Sequence, residues 1–341
     1  MYMTRLSRPR LNPSAAAAAA CVGLAMLAGC GGESSSPSIA TGTAAVASAG
    51  EARETAATAA GPARLFVPDL AQDGIATLAT LEPVAGEALP AVTLKANAAL
   101  GANVQVDAAR DELYAIVGHV VEVYAGASTL KADAAPTRSF PLPSTLTTPH
   151  ALYLDVARDE LYVGGDAAHG NGEIVAYPFA HTLRGTPATP ARALFVDHGV
   201  AFFTIDPMRE RLYVVNADAG VHVFADVSSA SGSLVAADTI PVLGTGLAVD
   251  AAHDRLYVAD LFAGLILVDH ASEPVPMVSA TVGVDDARFV SVDTVADRAY
   301  VSAQGSLYVL GHASALTSAS SVGLPVSVRT AGALLGAVAT R

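Results

Sequence analysis

The feature that most restricts what this chain can become is a phrase that it repeats. Val106-Asp107-Ala-Ala-Arg-Asp-Glu-Leu113-Tyr114 returns as Leu154-Asp155-Val-Ala-Arg-Asp-Glu-Leu161-Tyr162 and as Ile205-Asp206-Pro-Met-Arg-Glu-Arg-Leu212-Tyr213. Two further copies are Val249-Asp250-Ala-Ala-His-Asp-Arg-Leu256-Tyr257 and Val292-Asp293-Thr-Val-Ala-Asp-Arg-Ala299-Tyr300. Arg64-Leu65-Phe66-Val67 matches the second half alone. The aromatic positions 66, 114, 162, 213, 257 and 300 are 48, 48, 51, 44 and 43 residues apart. Six copies at that period specify a ring of six four-stranded blades, a β-propeller.

Each phrase reads as a hairpin. An alternating strand ends in Asp, a polar turn follows, and a Leu-Tyr-Val strand begins. The Asp side chain can accept hydrogen bonds from the turn amides, which is reason enough for its recurrence. Acidic and basic neighbours in the turns, such as Asp111-Glu112 and Glu210-Arg211, read as solvated charges. A third strand follows, as in 220–224 and 264–268, and a fourth, as in 239–243. Leu and Tyr of the second strand are expected to pack between blades, because no single repeat can cover them. The first copy lacks its opening strand, and Pro325-Val-Ser-Val-Arg329 is spare strand-like sequence. That segment is expected to supply the missing innermost strand and close the ring, with 331–339 extending the closure. The expected fold is therefore all-β, a six-bladed propeller over 63–341 closed by its carboxy-terminal strand.

The repeats resemble the YVTN type of propeller repeat, an Asp-ended strand, a turn and then Leu-Tyr-Val-x-Asn. Leu212-Tyr213-Val214-Val215-Asn216 matches that signature fully, and Leu256-Tyr257-Val258-Ala259-Asp260 nearly so. The resemblance implies the fold and not an activity, since propellers host hydrolases, oxidoreductases and passive adaptors alike.

The amino terminus reads as an address. Arg5, Arg8 and Arg10 precede an uncharged, mostly apolar run from Ser14 to Gly29. At 16 residues the run is short for a spanning helix and suits a cleavable signal. Leu27-Ala28-Gly29-Cys30 resembles the bacterial lipobox, whose cysteine is acylated and becomes the mature amino terminus. The resemblance implies a signal peptide at 1–29, lipidation at Cys30 and a membrane anchor that several acyl chains hold stably. Gly31, rather than Asp, after the cysteine implies sorting to the outer membrane of a double-membrane host, with the domain periplasmic or surface-facing. Residues 31–62, rich in Gly, Ser, Ala and Thr, read as a tether.

The three arginines are the only charged residues before Cys30, so the remainder carries 16 basic against 32 acidic residues. Such a surface repels phosphate backbones, which argues against a nucleic-acid partner. Cys21 and Cys30 are the only cysteines. With one in the signal and one acylated, the propeller has no thiol for catalysis or metal binding.

In a propeller, the turn after the second strand and the approach to the first strand share one face. That face is expected to carry Asp69, His150, Asp166, His198, Asn216 and Asp260 as candidate binding residues, with Asp197, Asp285 and Asp286 on the approaching loops. Converging carboxylates and imidazoles could hold Ca²⁺ or another divalent ion, yet Asp or Asn at this place also caps a turn. No catalytic residue is assigned. The chain has no Trp, which sets it apart from gluconolactonase-like and quinoprotein propellers. It also lacks a Gly-x-Ser-x-Gly elbow and a His-Glu-x-x-His helix. The reading is a lipid-anchored envelope platform that binds an envelope protein or a small molecule. A metal-dependent lactonase-like hydrolase and a subunit of an envelope assembly are the alternatives.

Overall fold

The computed structural model describes residues 64–341 except 80–85, 89, 186–188, 217–219, 324 and 329–333. The signal, the lipidated Cys30 and the tether at 31–62 lie outside the described residues. Six sheets are present, each with four antiparallel strands running from the centre of a ring outwards. Blades 2 to 5 each take one repeat in order: 100–141, 146–196, 202–240 and 246–282. Blade 6 runs from Ala287 to Val328. In each of these the inner strand runs from an upper face down to a lower rim and ends at the repeated Asp.

Blade 1 is the composite that closes the ring. Its second to fourth strands are Arg64–Asp69, Gly74–Ala79 and Val92–Lys95, and its innermost strand is Ala339–Thr340. Leu65 pairs with Thr340 and Phe66 with Ala339. Leu335 bridges Asp69, and Ala337 bridges Asn103 of blade 2. Closure by the carboxy-terminal strand is thus as expected, but 325–329 does not perform it. Val326–Val328 is instead the fourth strand of blade 6, paired with Ser306 and Leu307. Blade 6 needs an outer strand as much as blade 1 needs an inner one, and the nearer segment fills the nearer vacancy.

Gly336 shows how tightly the closing segment fits. A Cβ there would lie 2.2 Å from the Ala102 carbonyl oxygen, while its own N–H donates to Pro68 O at 2.8 Å and its carbonyl accepts from Ser302 Oγ at 2.6 Å. One residue therefore ties blades 6, 1 and 2.

The repeated aromatic residues occupy the seams. Phe66, Tyr114, Tyr162, Tyr213, Tyr257 and Tyr300 are all 2% exposed or less. Each packs on residues of the next blade: Tyr114 with Leu154 and Leu161, Tyr257 with Val290 and Ala299, Tyr300 with Leu65 and Val67. Burying such a side chain contributes about 1.5–3 kcal/mol, and only the neighbour makes that burial possible.

The lower turns form a repeated electrostatic device. Asp107, Asp155, Asp206, Asp250 and Asp293 accept backbone amide bonds from their own turns. Arg110, Arg158, Arg209 and His253 pair with the first four of these. Arg158 and Arg209 also reach the next blade, at Glu210 and Asp254. Those second acids sit at positive φ and cap a serine amide after the third strand, as Asp254 does for Ser272 at 3.1 Å. Where blade 1 has no such turn, Arg341 pairs with Asp111 at 3.0 Å. The acids expected to be solvated are therefore partnered. Glu112 and Glu160 likewise bind Arg138 and Arg192, which reach across their seams to carbonyls at Ala180 and Ala230. Sequence spacing shows the charges but not the neighbouring blade that meets them.

Candidate functional site

The middle of the ring is partitioned. Asn103 donates to Leu152 O at 2.7 Å and accepts from Leu152 N at 2.9 Å, joining the inner strands of blades 2 and 3. Phe202 and Phe289 meet with ring centroids 5.8 Å apart. Below them a chamber of about 500 Å³ opens to the lower rim, lined by Gln105, Tyr153, Thr204 and Ser291 among aliphatic residues. Above them a second chamber, about 480 Å³, opens to the upper face.

The upper chamber gathers three of the predicted residues, His150, Asp166 and Asn216. His150 reaches this mouth from the long inner strand Leu146–Asp155, and Asp166 from the second strand Glu160–Ala167 of the same blade. Their side chains meet at 3.1 Å between His150 Nε2 and Asp166 Oδ2. The sheet bends there: its register shifts between Gly164 and Gly165, and a Cβ on Gly165 would strike Thr148 O at 2.0 Å. Asn216 ends the second strand of blade 4 and donates through Nδ2 to Gly199 O at 3.2 Å. Gly199 lies so close to Asp166 that a Cβ would sit 2.6 Å from Oδ1.

His198 lies in an adjoining cavity of about 260 Å³ in the seam between blades 3 and 4. Gly199 and Asn216 line both cavities, so the two form one groove. The seam cavity has a floor of Val196, Val214 and Phe224. Its outer wall is the segment Leu234–Ala236. That wall is held because Gly232–Ser233 adds to blade 3 as a fifth, parallel strand, pairing with Leu194 and Phe195. The ring of His198 stacks on that of His222, with centroids 5.8 Å apart and planes at 29°. Burial, and then the nearby His198, push the His222 imidazole below its usual value against an opposing pull from Asp197. His222 is thus held toward its neutral form.

Asp69 and Asp260 do not join this groove. Each is more than nine-tenths buried, and each turns its carboxylate on its own turn: Asp69 to the amides of Ala71 and Gln72, Asp260 to those of Phe262 and Ala263. Asp286 pairs with Arg288. Sequence reasoning missed His222, Phe224 and Thr239. The signal that could have found them is the polar His222 within the otherwise apolar third strand 220–224. Among the described residues, no group of three or more His, Cys, Asp or Glu side chains is arranged to hold a metal ion.

No protein-family model matches the chain, and no curated protein sequence matches it. Among solved structures it is similar to a chain from the crystal structure of a nidogen/laminin complex, with a TM-score of 0.55 and 15% identity. That match covers 82% of this chain and 98% of the other. Since 1128 solved chains match it, likeness of this kind shows the propeller architecture alone.

Proposed function

We propose that the chain is a lipid-anchored binding protein of the bacterial envelope, whose upper face captures a partner protein or small molecule. One observation carries the binding half: His150, Asp166 and Asn216 converge on a cavity that continues into the His198–His222 seam. Loops that vary on a constant scaffold are where binding sites form, and the upper loops depart from the repeat while the lower turns keep it. The one hydroxyl among the described residues lining the upper chamber is that of Thr245, which donates to Arg288 O at 2.6 Å and makes no hydrogen bond to the His150–Asp166 pair that would activate it. The envelope half rests on the three arginines, the apolar run and Leu27-Ala28-Gly29-Cys30.

The test places a photocrosslinking residue at Asn171, on the upper loop 168–171, and a control at Val295 on the lower rim. Adducts are expected at the former only, and their loss in His150→Ala and Asn216→Ala. Ester or lactone turnover that vanishes in Asp166→Ala would overturn binding in favour of hydrolysis. For the anchor, Cys30→Ser is expected to abolish lipid labelling. Undiminished membrane attachment of that variant would refute acylation at this cysteine.

A further inference from the structure

The seam cavity between blades 3 and 4 is more enclosed than the chamber beside it, and its chemistry is specific enough to name a ligand class. We infer that it binds a small organic amine with a flat apolar body, the body lying against Phe224 and the imidazole pair and the ammonium facing Asp197. The inference rests on the reading of this groove as a binding site and adds what enters it.

Three features argue for this occupant. The floor and wall, Val196, Val214, Phe224 and Leu234, are apolar and present flat or branched surfaces. A volume of about 260 Å³ equals that of about nine waters, so the body must be compact. The charge is one-sided. Asp197 lines the seam cavity and Asp166 the adjoining chamber, and neither cavity is lined by Lys or Arg. Among the described residues, the other titratable groups facing the groove are His150, His198 and His222. His222 Nε2 is shielded from solvent with no hydrogen-bond partner among the described residues, and Nδ1 faces Thr239 Oγ1 at 3.3 Å. That ring therefore presents a neutral π-face instead of a competing positive charge. A carboxylate or phosphate ligand would meet two acids and no lysine or arginine among the described residues, whereas an ammonium meets two acids and aromatic faces, which attract it. Asn216 at the junction supplies a further polar group.

The experiment titrates the purified full chain at pH 7.5 with 2-phenylethylamine, 2-phenylethanol and phenylacetate, three ligands of one shape and different charge. Calorimetry gives affinities, and the histidine ring resonances report the location. The amine is expected to bind with one-to-one stoichiometry, to shift the His222 ring signals and to bind at least about fivefold more tightly than phenylacetate. Asp197→Asn is expected to weaken the amine about two- to fivefold, as loss of an exposed ion pair would, and to leave the alcohol unchanged. Ala236→Phe, on the half-buried outer wall, fills the cavity and is expected to abolish all binding while the protein keeps the parent's circular dichroism. Phenylacetate binding as tightly as the amine, indifference of the amine to Asp197→Asn, or failure of the amine to bind would each overturn the inference. If upper-face crosslinks persist while the amine fails, the binding reading stands and only the ligand class falls. If the crosslinks also vanish, both fall.

Discussion

The lower rim and the upper face of the ring are built from the two ends of the same strands, yet they obey different rules. On the rim nearly every charge is answered: Asp206 is wholly buried, accepts two turn amides and pairs with Arg209, and Arg209 goes on to Asp254. On the face, Asp166 is 44% exposed in its side chain and holds only a histidine, and the loops around it share no common length. Repetition here marks residues that hold blades together, and its failure marks surface free to do something else.

That contrast can be broken by mutation. The largest effect should come from deleting 334–341. The deletion removes Leu335 and Val338 from the core and the inner strand of blade 1, at a cost of about 3–6 kcal/mol in urea unfolding. A truncated protein as stable as the parent would show that the ring does not depend on this strand. Next, Asp206→Ala is expected to cost about 2–3 kcal/mol, since it strips bonds from a buried turn. Asp166→Ala on the face should stay within about 0.5 kcal/mol. Equal losses at both positions would erase the distinction between the two ends.

A smaller effect separates two equivalent tyrosines. Tyr162 OH donates to Glu160 at 2.6 Å and accepts from Arg192 at 2.9 Å, whereas Tyr213 OH is buried with no hydrogen-bond partner among the described residues. Tyr162→Phe should cost about 1–2 kcal/mol and Tyr213→Phe close to nothing. The reverse order in chemical denaturation would contradict the seam geometry described here.

The smallest effect is in pH. His222 has its pKa lowered in the fold, so between its ordinary and its folded value the unfolded chain binds more protons. Stability is then expected to fall as pH drops from about 7 through that window, and His222→Gln should flatten the slope. Asp297 acts at lower pH. The Ser314 amide bond holds its carboxyl below the usual value, and the stability it gives is present above that usual value and lost as pH falls through the folded one. Thermal melts from pH 7.5 to 3 of the parent and of His222→Gln would show both steps.

The fold was legible because its cause is periodic. An aromatic residue between apolar ones at six places, Leu-Tyr-Val outright at 161, 212 and 256, and Asp before each full turn state the blade and its seams without any long-range information. Closure by the carboxy terminus was legible, with 331–339 as its extension, but the segment that performs it was not, because Ala339–Thr340 lies in an Ala-rich stretch with no alternation. Its place is set by the close approach at Gly336, which only a folded neighbour reveals. Pro325 to Arg329 misled for the opposite reason, since its alternation is real and serves blade 6. For the site, position along the repeat placed His150, Asp166 and Asn216 on one face. It could not tell them from Asp69 and Asp260, whose carboxylates turn inward on backbone amides. The stacking of His222 under His198 joins residues of blade 4 to the connection before it, and no spacing in the sequence encodes that contact.

Closure also decides how this ring can be held. Arg341 N–H donates to Arg64 O at 3.1 Å, so the two ends of the propeller meet side by side at the bottom of blade 1. A linker of a few residues from 341 to 64 would rebuild the one turn that covalent order leaves out. Any other lower turn could then be cut to make new termini in a circularly permuted protein. The same geometry sets the two described ends of the ring and the mouth with His150 and Asp166 at opposite ends of the strands.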